Sequence, residues 1–306
     1  MKLHLLPLVF CGLLNIASAN DQMRNWTLAT GEKKQAEIVS YNESEKKVTL
    51  RLTDEREVRY SDEELSAIDR AWVLQWVEQD EEARALIAKL GGKITTHVGT
   101  GRFTTEYAVY HPPVAADGKK LPMLILFHPG GNGQRTIYRY VEAAAELGIT
   151  LVSLDYFKNT DDDPKREALM LECFTELLPQ IEAAVPHDEK RIFMGGMSGG
   201  AWRAYHYSAQ VKRPWAGILA CGGWLGDEKY HDLDYPKLRV AMVNGDKDFG
   251  PHTRIEPDSV ILRKAGSVIS IHAFEGGHQL APPSVQTKAL RWLLSDEGET
   301  QAEADP

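Results

Sequence analysis

Cysteine is scarce in this chain: three in 306 residues, with Cys11 close to the start and only Cys173 and Cys221 beyond it. So few thiols exclude a disulfide-dense scaffold, and neither of the later two has the spacing or His partners of a zinc site. Both read as small buried hydrophobes. An excess of basic charge is also missing. The 35 Lys and Arg are outnumbered by 44 Asp and Glu, and the formal net charge is −9. This balance argues against nucleic acid and against an anionic membrane surface, because both require clustered cations. Long apolar runs are absent after the first residues, which argues against stable membrane insertion. What remains, 43% hydrophobic and 26% charged residues, is ordinary globular composition with room for one or two domains.

The beginning of the chain has the pattern of a secretory leader. Lys2 supplies a positive charge, Leu3 to Leu14 is apolar, and Ala17-Ser18-Ala19 offers the small residues of a cleavage site. Residues 1–19 are therefore expected to be removed on export to a periplasm or the medium. The apolar run is shorter than the ~20 residues a membrane anchor requires. Lipidation at Cys11 fits poorly, since bulky Phe10 precedes it and the Ala-x-Ala site follows.

Residues 22–78 form a small polar unit. Lys34 to Tyr41 and Lys47 to Leu52 alternate polar and apolar side chains as half-buried strands do, with a turn at Asn42-Glu43-Ser44. Asp54-Glu55 marks a second turn before Val58 and Tyr60, and Ser66 to Val77 has helical spacing. The residues Arg24, Trp26, Thr27, Gly31, Ala36-Glu37, Val48, Leu50, Val58, Leu65-Ser66, Asp69 and Trp72 resemble the Sla homology domain, an SH3-like module. Glu55 stands where that family usually has glycine. The resemblance implies a protein or polymer partner for this unit; the alternative is a stabilising appendage without a ligand. Residues 79–94 read as a charged helical linker ended by Gly91-Gly92, and residues 296–306 as an acidic, disordered tail.

Residues 95–295 change pattern. Apolar runs of strand length alternate with amphipathic helical segments. The runs are Tyr107 to Tyr110, Met123 to Phe127, Thr150 to Leu154, Arg191 to Met194, Trp215 to Ala220, Arg239 to Val243 and Val268 to Phe274. The helical segments are Arg139 to Leu147, Lys165 to Ala184, Ala201 to Gln210 and Pro283 to Leu294. Such alternation predicts an α/β fold with a mostly parallel sheet covered on both faces and its chemistry at the C-terminal strand ends.

Chemistry-bearing residues fall at those ends. Gly196-Met197-Ser198-Gly199-Gly200 lies between a strand and a helix, where a sharp turn lifts a serine hydroxyl clear of the sheet and its neighbours must be small. A serine needs a general base. His278 follows the last strand, in Glu275-Gly276-Gly277-His278, whereas His272 lies in a strand and His206 in a helix. His187, His231 and His252 sit in other loops. The base needs a carboxylate, and the preceding strand ends in Asn244-Gly245-Asp246-Lys247-Asp248. Both aspartates lie at that strand end; the Gly-x-x-Asp spacing resembles that of related hydrolases, which implies Asp248, with Asp246 as the alternative. Asp155 precedes the serine and fits less well. An oxyanion would rest on the Gly199 N–H and on the loop His128-Pro129-Gly130-Gly131-Asn132-Gly133. Pro129 has no N–H, which leaves Gly130 as the expected donor and Gly131 next. His128 is expected to hold that loop by hydrogen bonds.

The order Ser198, Asp248, His278 resembles that of the α/β-hydrolase superfamily. With the His128 loop, it is most similar to secreted esterases of the polyhydroxybutyrate-depolymerase, feruloyl-esterase and dienelactone-hydrolase-like groups. Dienelactone hydrolases proper carry a cysteine where this chain has Ser198. The resemblance implies acyl-enzyme cleavage of a carboxylic ester, small or polymeric, with no metal or cofactor. A peptidase or amidase with the same triad, and a binding protein acting through residues 22–78, are the alternatives. The short segment Leu225 to Lys237, where lipases carry a lid, implies an open site. Trp224 is a candidate wall of that site; Trp202 is expected in the core.

Overall fold

The computed structural model describes residues 23–295, apart from 55, 103, 114–119, 132, 158 and 160–162. The leader at 1–19, the tail at 296–306 and the turn residue Glu55 fall outside the described residues.

Four strands open the fold: β1 (Met23–Thr27), β2 (Lys33–Asn42), β3 (Lys47–Leu52) and β4 (Glu57–Ser61). They pair antiparallel in sequence order as a small sheet. Alternation buries Trp26, Ala36, Ile38, Val48 and Leu50 on one face, with Leu65 and Val73 over them. The residues behind the Sla resemblance meet in this core. Arg24 pairs with buried Asp69 at 2.6 Å, and its guanidinium lies over the rings of Trp26 and Trp72. Asp69 also accepts the Thr27 N–H at 2.9 Å and the Ser66 hydroxyl at 2.8 Å. A carboxylate so fully occupied is held in place by charge-assisted hydrogen bonds.

Helix α1 (Ala67–Lys89), capped by Ser66, runs unbroken through the segment expected as a separate linker. Its first half covers the small sheet with Val73, and its last turn places Ile87 in a second core. One helix therefore belongs to both units. Arg135 adds a tie by donating to the Trp76 carbonyl at 2.6 Å, with its guanidinium 3.7 Å from that indole ring.

The larger sheet has eight strands: β5 (Lys93–Gly99), β6 (Thr105–His111), β7 (Met123–Phe127), β8 (Thr150–Leu154), β9 (Ile192–Met197), β10 (Gly217–Cys221), β11 (Arg239–Gly245) and β12 (Val268–Phe274). Their spatial order is β12-β11-β10-β9-β7-β8-β6-β5. The six from β12 to β8 run parallel; β6 opposes β8, and β5 opposes β6. Central strands are buried on both faces and almost wholly apolar, as parallel strands under helices are; Thr150 and Ser153 of β8 are the polar exceptions in β7, β8 and β10. One face carries α4 (Pro164–Ala184), α5 (Gly199–Gln210) and α6 (Phe249–Lys264), whose Phe174, Ala204 and Leu262 share a core. The other carries α2 (Gly133–Tyr138), α3 (Val141–Leu147) and α7 (Pro283–Leu294), with Ile137, Val141 and Leu290. The two thiols are free and buried, Cys173 in the first core and Cys221 in the second. Among the described residues no helix is long and apolar enough to cross a membrane.

Four of the described histidines are buried, His128, His187, His206 and His272, and the last two lie in helix α5 and strand β12. His206 donates from Nε2 to the Leu225 carbonyl at 2.7 Å, and burial holds its pKa down at about 4. His272, facing Trp292, is likewise held at about 4 by burial. Both folded values lie below the ordinary one. The unfolded chain therefore takes up protons that the folded chain refuses, and their contribution is lost as pH falls from about 6.5 toward about 4. Denaturant melts between pH 7 and 4.5 check this. A His272→Leu variant is expected to flatten the pH dependence by roughly one proton relative to wild type; an unchanged slope contradicts it.

Candidate active site

Strand β9 ends at Met197 and α5 begins at Gly199, so Ser198 carries the whole reversal. Its backbone is at φ 55° and ψ −120°, a conformation L residues avoid, at a cost of roughly 1–3 kcal/mol. The Ser198 N–H donates to the Cys221 carbonyl at 2.8 Å, anchoring the turn to the neighbouring strand. The flanking glycines are required by space. A methyl on Gly196 or on Gly200 would run into the carbonyl oxygen of Phe127 at the end of β7. A methyl on Gly195 would meet the Leu219 carbonyl oxygen at 2.7 Å.

His278 and Asp248 come from the loops after β12 and β11. These loops are laced together. The Asp246 N–H donates to the Phe274 carbonyl at 2.9 Å, and the Lys247 N–H to the Gly276 carbonyl at 2.8 Å. Gly245 has no room for a side chain beneath the Gly276 and Gly277 carbonyls. Asp246, the alternative acid, turns back to accept the Gly276 N–H at 2.9 Å and does not reach His278 in this arrangement. Asp248, at the start of α6, is buried, and its Oδ2 lies 2.8 Å from His278 Nδ1. A carboxylate can only accept, so Nδ1 carries the proton. Nε2 then accepts from the Ser198 hydroxyl, 2.9 Å away. Gly222, at φ 54°, lies beside this chain of groups; a methyl there would sit 3.3 Å from Asp248 Oδ2 and 3.5 Å from His278 Cε1.

The loop after β7 departs from expectation. The Gly130 N–H donates to His128 Nδ1 at 3.0 Å, and the Gly131 N–H to the His128 carbonyl at 3.1 Å. Burial pushes the His128 pKa down to about 3, so its ring is neutral and Nδ1 is free to accept. His128 holds the loop and in doing so takes the N–H expected of an oxyanion donor. Gly199, as the first residue of α5, keeps an N–H with no partner inside the helix. Asp155 lies apart from the other three. It accepts the Gly133 N–H, and burial pushes its pKa up to about 6. Asn132 lies outside the described residues.

Ser198 opens on a cleft of about 380 Å³. Trp202, Trp224 and Tyr230 line it, with Glu167 and Arg203 deeper and Asn159 beside Gly199. Trp202 is thus a cleft residue as well as a packed one; its ring meets His206 and Tyr230 edge-on. The segment after β10 forms a wall of this cleft through Gly226, Asp227, Lys229 and Tyr230. Sequence reasoning did not single out Gly222, Asn159 or the Arg203–Glu167 pair at 2.9 Å. Among the described residues no group of three or more His, Cys, Asp or Glu could hold a metal ion.

The steric account of the turn predicts opposite results for two glycines. Gly200→Ala forces a methyl against backbone and is expected to cost roughly 1–3 kcal/mol or more. Gly250→Ala, in open space on α6, is expected to be neutral or slightly stabilising. Thermal unfolding of the two variants compares them, and equal melting temperatures contradict the account.

No protein-family profile matches the chain, and no curated protein matches it in sequence. Its fold is shared widely among solved structures. Esterase LipW from Mycobacterium marinum is 17% identical over 72% of this chain and 87% of that one, at a TM-score of 0.55. The S-formylglutathione hydrolase FrmB from Staphylococcus aureus is 14% identical over 67% and 97%, at 0.51. Pyrococcus horikoshii acylaminoacyl peptidase is 13% identical over 85% and 47%, at 0.53. At these identities the likeness establishes the fold alone: residues 93–294 have the α/β-hydrolase architecture, behind a small antiparallel β unit.

Proposed function

We propose that the chain is an exported serine hydrolase that cleaves carboxylic esters through an acyl-enzyme. The observation that carries this reading is the unbroken chain of hydrogen bonds Ser198–His278–Asp248, at 2.9 and 2.8 Å, opening on a cleft. A serine hydroxyl is a poor nucleophile unless a base takes its proton as it attacks. His278 Nε2 is in position to do so, and Asp248 fixes the tautomer and stabilises the imidazolium that forms. Ser198 Oγ adds to the ester carbonyl, and the carbonyl electron pair moves onto oxygen toward the Gly199 N–H. His278 then returns the proton to the leaving alcohol. Water repeats the sequence on the acyl-enzyme, releasing the acid and restoring Ser198.

The aromatic walls formed by Trp202, Trp224 and Tyr230 suit a substrate with flat or apolar faces, small or at the end of a polymer. Export rests on the leader pattern of residues 1–19. Binding of a protein or polymer by the N-terminal unit rests on its sequence resemblance. The residues that carry the likeness are used within the unit itself, in the Arg24–Asp69–Trp72 cluster.

Kinetics on p-nitrophenyl acetate and butyrate, with a p-nitroanilide as the amide control, test the reading. Ser198→Ala is expected to abolish turnover, and Asp248→Asn to lower kcat by about 10⁴-fold through the wrong tautomer. Asp246→Asn is expected to keep most activity, because its carboxylate serves the loop. Equal rates for wild type and Ser198→Ala contradict the mechanism, and preference for the anilide replaces the ester assignment with an amidase.

A further inference from the structure

An oxyanion hole is built from aimed N–H donors, and those of Gly130, Gly131 and Gly133 in the His128 loop are already committed. Pro129 has no N–H. Those of Gly130 and Gly131 go to His128, and that of Gly133 goes to Asp155. Of the donors expected from the sequence, this leaves the Gly199 N–H.

Asn159 lies beside this loop. Its own N–H donates to the Pro129 carbonyl at 2.7 Å, which fixes it there. Its carboxamide fills the place where a side chain on Gly199 would begin, with Oδ1 nearest to that point, Cγ at 2.8 Å and Nδ2 at 3.1 Å. The residue lines the cleft that holds Ser198 and is exposed to it. The carboxamide is exposed and lies against Gly199, beside the loop after β7, and these are the two backbone segments that build oxyanion holes in this fold. Rotation about its Cβ–Cγ bond exchanges Oδ1 for Nδ2 in the same space, so two N–H donors are available to the cleft.

We propose that Asn159 is a catalytic residue whose side-chain N–H, together with the Gly199 N–H, binds the oxyanion. The proposal rests on the ester-hydrolase reading and deepens it. As the Ser198 Oγ–carbon bond forms, the carbonyl π pair moves onto oxygen and the serine proton moves to His278. Asn159 donates a hydrogen bond to that oxygen and exchanges no atom. His128 keeps its loop closed throughout, and the hole combines one backbone and one side-chain donor.

The test compares wild type with Asn159→Ala, Asn159→Asp and Asn159→Ser on p-nitrophenyl acetate. Loss of one oxyanion donor costs about 10²–10³-fold in kcat. That loss is expected for Ala and for Asp, which keeps the shape but not the donor. KM is expected to stay within about threefold, since the interaction forms only in the transition state. Serine, which retains a donor, is expected to recover part of the rate. A trifluoromethyl ketone, whose serine adduct carries an oxyanion, is expected to lose affinity in parallel. The residue is exposed, so thermal unfolding should match wild type. An Ala variant within about threefold of wild-type kcat, or a loss confined to KM or to the melting temperature, overturns the proposal. Failure of the ester-hydrolase reading looks different: the wild type itself would leave the ester intact, and the proposal would fall with it.

Discussion

The close approach of two backbones governs this molecule. Where β7 ends, the Phe127 carbonyl presses against both Gly196 and Gly200, so strand and helix meet with nothing but hydrogen between them. That contact fixes the sharp turn, and the turn forces Ser198 to φ 55°. The strain persists because the Cys221 carbonyl and the buried sheet on either side leave the segment no alternative. The hydroxyl is thereby presented at one defined point, toward which the other groups are aimed.

The partner loops answer to the same need. Asp246 accepts the Gly276 N–H and so ties the β11 and β12 loops to each other. Gly245 permits that closeness, and Gly222 lets the β10 loop pass without blocking the imidazole. His128 performs the equivalent service for the β7 loop; its ring stays neutral because burial disfavours the charged form. The consequence for chemistry follows from simple counting of hydrogens: an N–H given to His128 is not available to a substrate.

Much of this was legible in the sequence. The apolar runs gave the parallel strands because burial on both faces demands continuous hydrophobicity, and chain order selected Ser198, Asp248 and His278. Other features were hidden for physical reasons. Strand β5 is an edge strand of exposed and half-buried residues, with Thr95, Thr96 and His97 breaking the apolar signal. Helix α6 carries Gly250 and Pro251 in its first turn, where a missing N–H is tolerated, and Pro257 in its interior, where it breaks the hydrogen-bond ladder; all three read as loop. The linker at 79–94 was separated by its charge, yet α1 continues through Lys89 because charged residues are good helix formers. Gly130 looked free because sequence spacing cannot reveal where an N–H points. Asn159 carried no signal, being a lone polar residue in a loop that only the Pro129 contact brings to the site.

The central claim is that Ser198 is an activated nucleophile. Reaction of the folded protein with a fluorophosphonate, followed by peptide mass spectrometry, tests it most directly. The account predicts a single adduct on the peptide containing Ser198, formed far more slowly when His278 is replaced by alanine. A folded protein that takes up no label, or takes it up elsewhere, contradicts it.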